Sequence, residues 1–173
     1  EACEAVAEWA ASGAAAVEIM DHASLRSFAT LPHTPEQYRI HREGATALLV
    51  EYHDVDPPAG TWVTDARERA ALWKLRKGLM PTIGAMRPPG TTLINEDIAV
   101  PPEHLAGLVR DTQSAFEEFH YHDAIIFGHA KDGNIHFIVY QDLERPEEIG
   151  RYKRFMERIA SIVVDKYDGS LKA

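Results

Sequence analysis

Two apolar runs, 125–127 and 135–140, flank the segment Gly128-His129-Ala130-Lys131-Asp132-Gly133-Asn134, and they constrain the fold more than any other stretch. An Asp-Gly pair between such runs signals a β-hairpin, because both central residues of a tight two-residue turn need positive φ. With Asp132 and Gly133 as the turn, Lys131 opposes Asn134, Ala130 opposes Ile135 and His129 opposes His136. Both imidazoles then leave one face of the sheet, with Cβ atoms about 4.5–5.5 Å apart. Two ring nitrogens so placed can reach one ion at about 2.0–2.1 Å, the zinc–imidazole distance. A cross-strand His pair without a ligand has the same spacing, and a metal site needs more ligands than these two. Ile125, Phe127, Ile138 and Tyr140 share the His face, while Ile126, Ile135, Phe137 and Val139 take the other. The hairpin is therefore expected to be buried on both sides, where imidazoles need partners.

The 173 residues suffice for one domain, or two small halves sharing a sheet, with a sizeable core. A formal net charge of -9 argues against a nucleic-acid surface, which needs clustered cations to neutralise phosphates. Cys3 is the sole cysteine, so no intrachain disulfide or thiolate zinc site can form. Apolar runs are too short to span a bilayer, and no signal-peptide pattern opens the chain, so a cytoplasmic location is expected. The start at Glu1 and the stop at Ala173 suggest a piece of a longer protein.

Val6, Trp9 and Ala10 mark a first helix closed by Gly13, followed by a strand at 15–20. Asp21 caps a short helix through Phe28. The stretch 31–42 reads mostly as loop and 46–53 as a strand. A long helix starts near Thr61 or Thr64, with Ala71, Leu72, Leu75 and Leu79 as its stripe and Pro81 ending or bending it. A strand at 91–100 precedes a helix opened by Pro101 and Pro102 and striped by Leu105, Leu108, Val109, Thr112, Phe116 and Phe119. After the hairpin, Ile149, Tyr152, Met156, Ile159 and Val163 form the inner face of a last helix ending near Asp168-Gly169. The order from Thr91 lacks only a final strand, expected beyond Ala173, to make a ferredoxin-like split βαβ unit. The earlier half reads as a diverged copy. The expected class is α+β: a mainly antiparallel sheet with helices on one face, in tandem ferredoxin-like halves, 1–90 and 91–173.

Gly128-His129, Asp132-Gly133-Asn134 and His136, together with Leu72-Trp73, Arg76-Lys77-Gly78, Glu96-Asp97 and Val100-Pro101, resemble the C-terminal, substrate-side domain of FAD-linked oxidases. That group contains D-lactate, glycolate and D-2-hydroxyglutarate dehydrogenases. Tyr152, Phe155-Met156 and the ending Lys166-Tyr167-Asp168-Gly169-Ser170-Leu171-Lys172-Ala173 resemble most the bacterial FAD/iron–sulfur D-lactate dehydrogenases. The resemblance spans nearly the whole chain. It implies a cap over a flavin, with His129 and His136 as two ligands of a divalent metal, commonly zinc, and Asp132, Gly133 and Asn134 supporting the turn. A third ligand and a base are implied beyond Ala173, FAD on a separate domain, and an iron–sulfur cluster in a further module. Arg76 matches an arginine that neutralises a substrate carboxylate, a task suited to a planar guanidinium, and Arg87 is a second candidate. A solvated helix-face arginine is the plain alternative for Arg76.

Lys131, Ile138 and Asn95 depart from relatives, the last two at positions where glutarate-type members carry substrate-binding residues, so the neighbours favour lactate or another short 2-hydroxy acid. The implied activity is FAD-dependent oxidation of a D-2-hydroxy acid, with this piece inactive alone and the full-length protein cytoplasmic or peripheral to the inner membrane. The partners implied are the small acid and the FAD-binding domain. Two other readings stay open: a ferredoxin-like ligand-binding or regulatory module without redox activity, and a metal-dependent hydrolase. Glu96-Asp97 reads either as a solvated edge pair or as carboxylate support for the histidines.

Overall fold

A computed structural model describes residues 1–31, 34–39 and 42–172. The chain runs α1 (Ala2–Ala11), β1 (Ala16–Met20), α2 (His22–Ala29), β2 (Ala47–Glu51), α3 (Ala66–Lys77), α4 (Leu79–Ala85), β3 (Thr92–Ala99), α5 (Leu105–Glu118), β4 (Ile125–His129), β5 (Asn134–Gln141), α6 (Pro146–Ala160) and β6 (Ser170–Lys172). The six strands form one sheet in the order β2-β1-β4-β5-β3-β6, with every neighbouring pair antiparallel. From β3 onward this is the strand order of a ferredoxin-like unit, and β1 and β2 extend it past β4. The α+β class expected from the pattern is the one observed.

The final strand was expected beyond Ala173, which itself lies outside the described residues. It is already present: Ser170–Lys172 pairs with Asp97–Ala99. Gly169 permits that return, since a Cβ there would stand 2.4 Å from the Ala99 carbonyl oxygen. β3 is thus interior at Asp97–Ala99, and Asp97 is not at a sheet edge.

Helices cover both faces of the sheet rather than one. On the first face Val17, Ile19, Ile126, Ile135, Phe137 and Val139 pack with Val6 of α1, Leu105, Leu108 and Phe116 of α5, and Phe155 and Ile159 of α6. On the other, Met20, Ile125, Phe127 and Ile138 pack with Leu25 and Phe28 of α2 and Leu79 and Ile83 of α4. Both faces of β4 and β5 are apolar, so each needs a cover, and the short helices supply the second.

The long helix expected to end or bend at Pro81 is two helices. Asp65 caps α3, its carboxylate accepting from the backbone N–H groups of Arg67 and Glu68 at 3.0 and 2.9 Å, and Gly78 separates α3 from α4. Pro81 sits in the first turn of α4, where a missing N–H breaks no helical hydrogen bond. At the end of α6 the chain winds as a π-helix over Ser161–Lys166. Phe155, Ile159, Ile162 and Val163 are buried there, while Ile149, expected on the inner face, is exposed.

Candidate functional site

The hairpin exists, but its turn is longer than two residues. β4 ends at His129, the chain makes a 3-10 turn through Ala130, Lys131 and Asp132, and Gly133 closes it at φ 65° in the left-handed region. Asp132 does not share the positive φ. His129 therefore opposes Asn134, and His136 opposes Phe127. The shift moves the pairing by two positions, so both rings keep one face of the sheet; a shift by one would have sent them to opposite faces. As diagonal neighbours their ring centroids lie 5.5 Å apart at 83°. Gly133 is needed where it stands: a Cβ would meet the Val100 carbonyl oxygen at 2.0 Å.

The register lines up two rows on that face. One runs Leu49, Glu18, His129, Asn134, Ala99, Ser170; the next runs Ala47, Met20, Phe127, His136, Asp97, Lys172. Glu18 is 4% exposed in an otherwise apolar strand. Its Oε1 lies 2.7 Å from His129 Nδ1, and its Oε2 accepts from Arg76 Nε at 2.9 Å and lies 2.7 Å from Arg76 Nη2. Arg76 comes from the last turn of α3, is 8% exposed, and stacks its guanidinium 4.9 Å from the centroid of the Phe127 ring. It is not a solvated helix-face arginine. The His129 side chain remains 50% exposed, although its Nδ1 faces a buried carboxylate.

His136 is more enclosed. Its Nδ1 is buried without a hydrogen-bond partner among the described residues, 3.6 Å from Asp97 Oδ1. Asn134 holds that carboxylate through its side-chain amide, which also donates to the Ile98 carbonyl at 3.1 Å. Burial pushes the His136 imidazole below its ordinary pKa; His129 and Arg76 add to this, while Asp97 and Glu18 oppose it. The Glu96-Asp97 pair splits as strand alternation requires. Asp97 joins the histidines, whereas Glu96 accepts from the Tyr152 hydroxyl of α6 at 2.7 Å. Burial and that carboxylate hold the Tyr152 phenol far above its usual range.

Arg87 is exposed in the loop after α4, and among the described residues no hydrogen bond or ion pair ties its side chain to this cluster. Asp132 is exposed, and Gly133 and Asn134 are buried. Asn95 and Ile138 are direct cross-strand partners, and Ile138 is buried in the core beneath α2 and α4. Glu18 is the residue sequence reasoning missed. Its signal was a lone carboxylate inside Ala16–Met20, since a buried charge demands a partner.

Two imidazoles, one bonded to a carboxylate at Nδ1 and the other beside one, supply two nitrogen donors of the kind zinc takes, fewer than the three or four ligands such an ion needs. Among the described residues no cluster of three or more His, Cys, Asp or Glu forms a metal site. Cys3 is the single cysteine, so this chain offers no ligand set for an iron–sulfur cluster.

The model of the family described as FAD linked oxidases, C-terminal domain, matches residues 1–173. The chain belongs to this family. It is also similar to the probable D-lactate dehydrogenase, mitochondrial, of Danio rerio, with 30% identity over 99 residues. That match covers 57% of this chain and 20% of the relative, so the chain aligns with only a small part of that protein's length. No described helix is long and apolar enough to cross a membrane.

Proposed function

We propose that this chain is the substrate-side domain of a flavin-dependent D-2-hydroxy acid dehydrogenase acting on D-lactate or a similarly short acid. The observation that carries the reading is the pair of imidazoles held on one face of β4 and β5 with carboxylates behind them, in a member of the FAD-linked oxidase family. His129 and His136 would hold a divalent ion, and further ligands would come from outside the described residues. When bound, FAD on the neighbouring domain supplies the hydride acceptor, and the ion supplies positive charge that lowers the pKa of the substrate hydroxyl. The chain's own residues set the two rings: Glu18 braces His129, and Asn134 holds the Asp97 carboxylate beside His136. Asn95 and Ile138 stand where glutarate-type members carry a lysine and a substrate-binding asparagine, which favours a short acid over one with a second carboxylate, although Ile138 itself is buried beneath α2 and α4. The FAD-binding domain and the acid are its partners, in the cytoplasm or peripheral to the inner membrane.

The test uses the full-length protein with bound FAD. D-lactate should bleach the flavin absorbance while L-lactate leaves it unchanged, and His129→Ala or His136→Ala should slow bleaching by at least about 100-fold. Bleaching at the wild-type rate in both variants, or by no 2-hydroxy acid at all, overturns the reading.

A further inference from the structure

We infer that Glu18 and Arg76 form a positioning pair that fixes which ring nitrogen of His129 carries the proton, leaving Nε2 bare for a ligand. The inference rests on the proposed role of His129 as a ligand, and it adds a role for Arg76. Its Nε donates to Glu18 Oε2 and its Nη2 lies 2.7 Å from the same oxygen, so this guanidinium also acts through the carboxylate.

A carboxylate only accepts hydrogen bonds. With Glu18 Oε1 at 2.7 Å, His129 Nδ1 must be the donor, and the neutral ring then has its lone pair at Nε2. Nδ1 faces a nearly inaccessible carboxylate while half of the side chain stays exposed, so the unprotonated edge lies on the open side. The His136 ring centroid lies 5.5 Å from that of His129. A lone carboxylate in the apolar strand β1 would be costly, and Arg76 on α3 supplies the compensating charge together with a directed donor at Nε. The helix thus locks the acceptor and the acceptor locks the ring.

The chemistry of an amide makes this testable. In Glu18→Gln the single amide oxygen is claimed by the Arg76 guanidinium, which turns the NH₂ group toward His129. Nδ1 must then accept, so the proton moves to Nε2 and the ligand nitrogen is blocked. Replacing the arginine as well, in Glu18→Gln/Arg76→Leu, frees the amide to rotate and offer its oxygen to Nδ1. The second substitution should therefore return the proton to Nδ1; relief of an unpaired Arg76 charge would by itself restore stability but would not move the proton between the ring nitrogens.

Two-bond nitrogen–proton NMR correlations on full-length protein labelled only in histidine read the tautomer directly. Expected are Nδ1–H for His129 in the wild type, Nε2–H in Glu18→Gln, and Nδ1–H again in the double variant. Chelator competition with Zn²⁺ alone should show affinity reduced about 10–100-fold in Glu18→Gln and recovered in the double variant. A wild-type His129 protonated at Nε2, or a spectrum unmoved by Glu18→Gln, overturns the inference. If His129→Ala binds Zn²⁺ as well as the wild type, the ligand role of His129 fails instead, and the tautomer spectra still decide the positioning role.

Discussion

At the scale of single residues, burial decides the chemistry of this face. Glu18 and Arg76 are a buried ion pair, and such pairs are felt most when one member is lost, because the other charge remains out of water. Arg76→Leu should destabilise the protein by about 3–5 kcal/mol, read from urea unfolding, whereas Arg87→Leu in its exposed loop should change stability by less than about 0.5 kcal/mol. His136 gives a pH dependence of definite sign. Burial holds its pKa below the ordinary 6.5, so the unfolded chain binds a proton more readily than the folded one. Its contribution is complete above pH 6.5 and is lost as the pH falls through that value toward the lower folded one. His136→Gln should flatten that part of the acid limb in a series of urea midpoints. The histidines were legible in the sequence because a turn signal placed them. Glu18 was not, since its partners lie 58 and 111 positions away and no local spacing reports them.

At the scale of elements, caps and faces were readable and turn types were not. Asp21 was read as a cap, and it is one: Oδ1 accepts from the Ser24 N–H at 2.8 Å, while Oδ2 reaches across to the Ile126 N–H of β4 at 2.9 Å. Asp21→Ala should therefore cost about 2–4 kcal/mol in urea unfolding, about 1 for the cap and the rest for a stranded strand donor. The second role is tertiary, so the local pattern could not carry it. Asp132-Gly133 suggested a two-residue turn, but one left-handed glycine also closes a 3-10 turn, and packing against the Val100 carbonyl selects the longer loop. The inner and outer faces of the hairpin survived because the displacement was even. Gly133→Ala should lose more than about 2 kcal/mol by the same measurement, from left-handed strain and the collision with Val100.

At the scale of the whole molecule, the earlier half is spliced into the later one through β1, which pairs with β2 on one side and β4 on the other. A count of elements suggested two copies of one unit. The single continuous sheet depends on strand order, which apolar periodicity does not encode. β5 lies at the centre, paired on both sides and covered on both faces, while β2 is an edge strand whose residues are only half-buried. Amide exchange should accordingly be slowest in β5 and fastest, among the longer strands, in β2; the reverse order would mean that the sheet is not one cooperative unit. The sheet also explains why the candidate site can exist, since Glu18, His129, His136 and Asp97 come from four adjacent strands and meet only because β1 docks on β4. The most direct test of that convergence is anomalous diffraction at the zinc edge from crystals of the full-length protein grown with Zn²⁺. A single strong peak within about 2.0–2.1 Å of a ring nitrogen of both His129 and His136 is the predicted result. A peak bound to neither imidazole, or to only one of them, would contradict it.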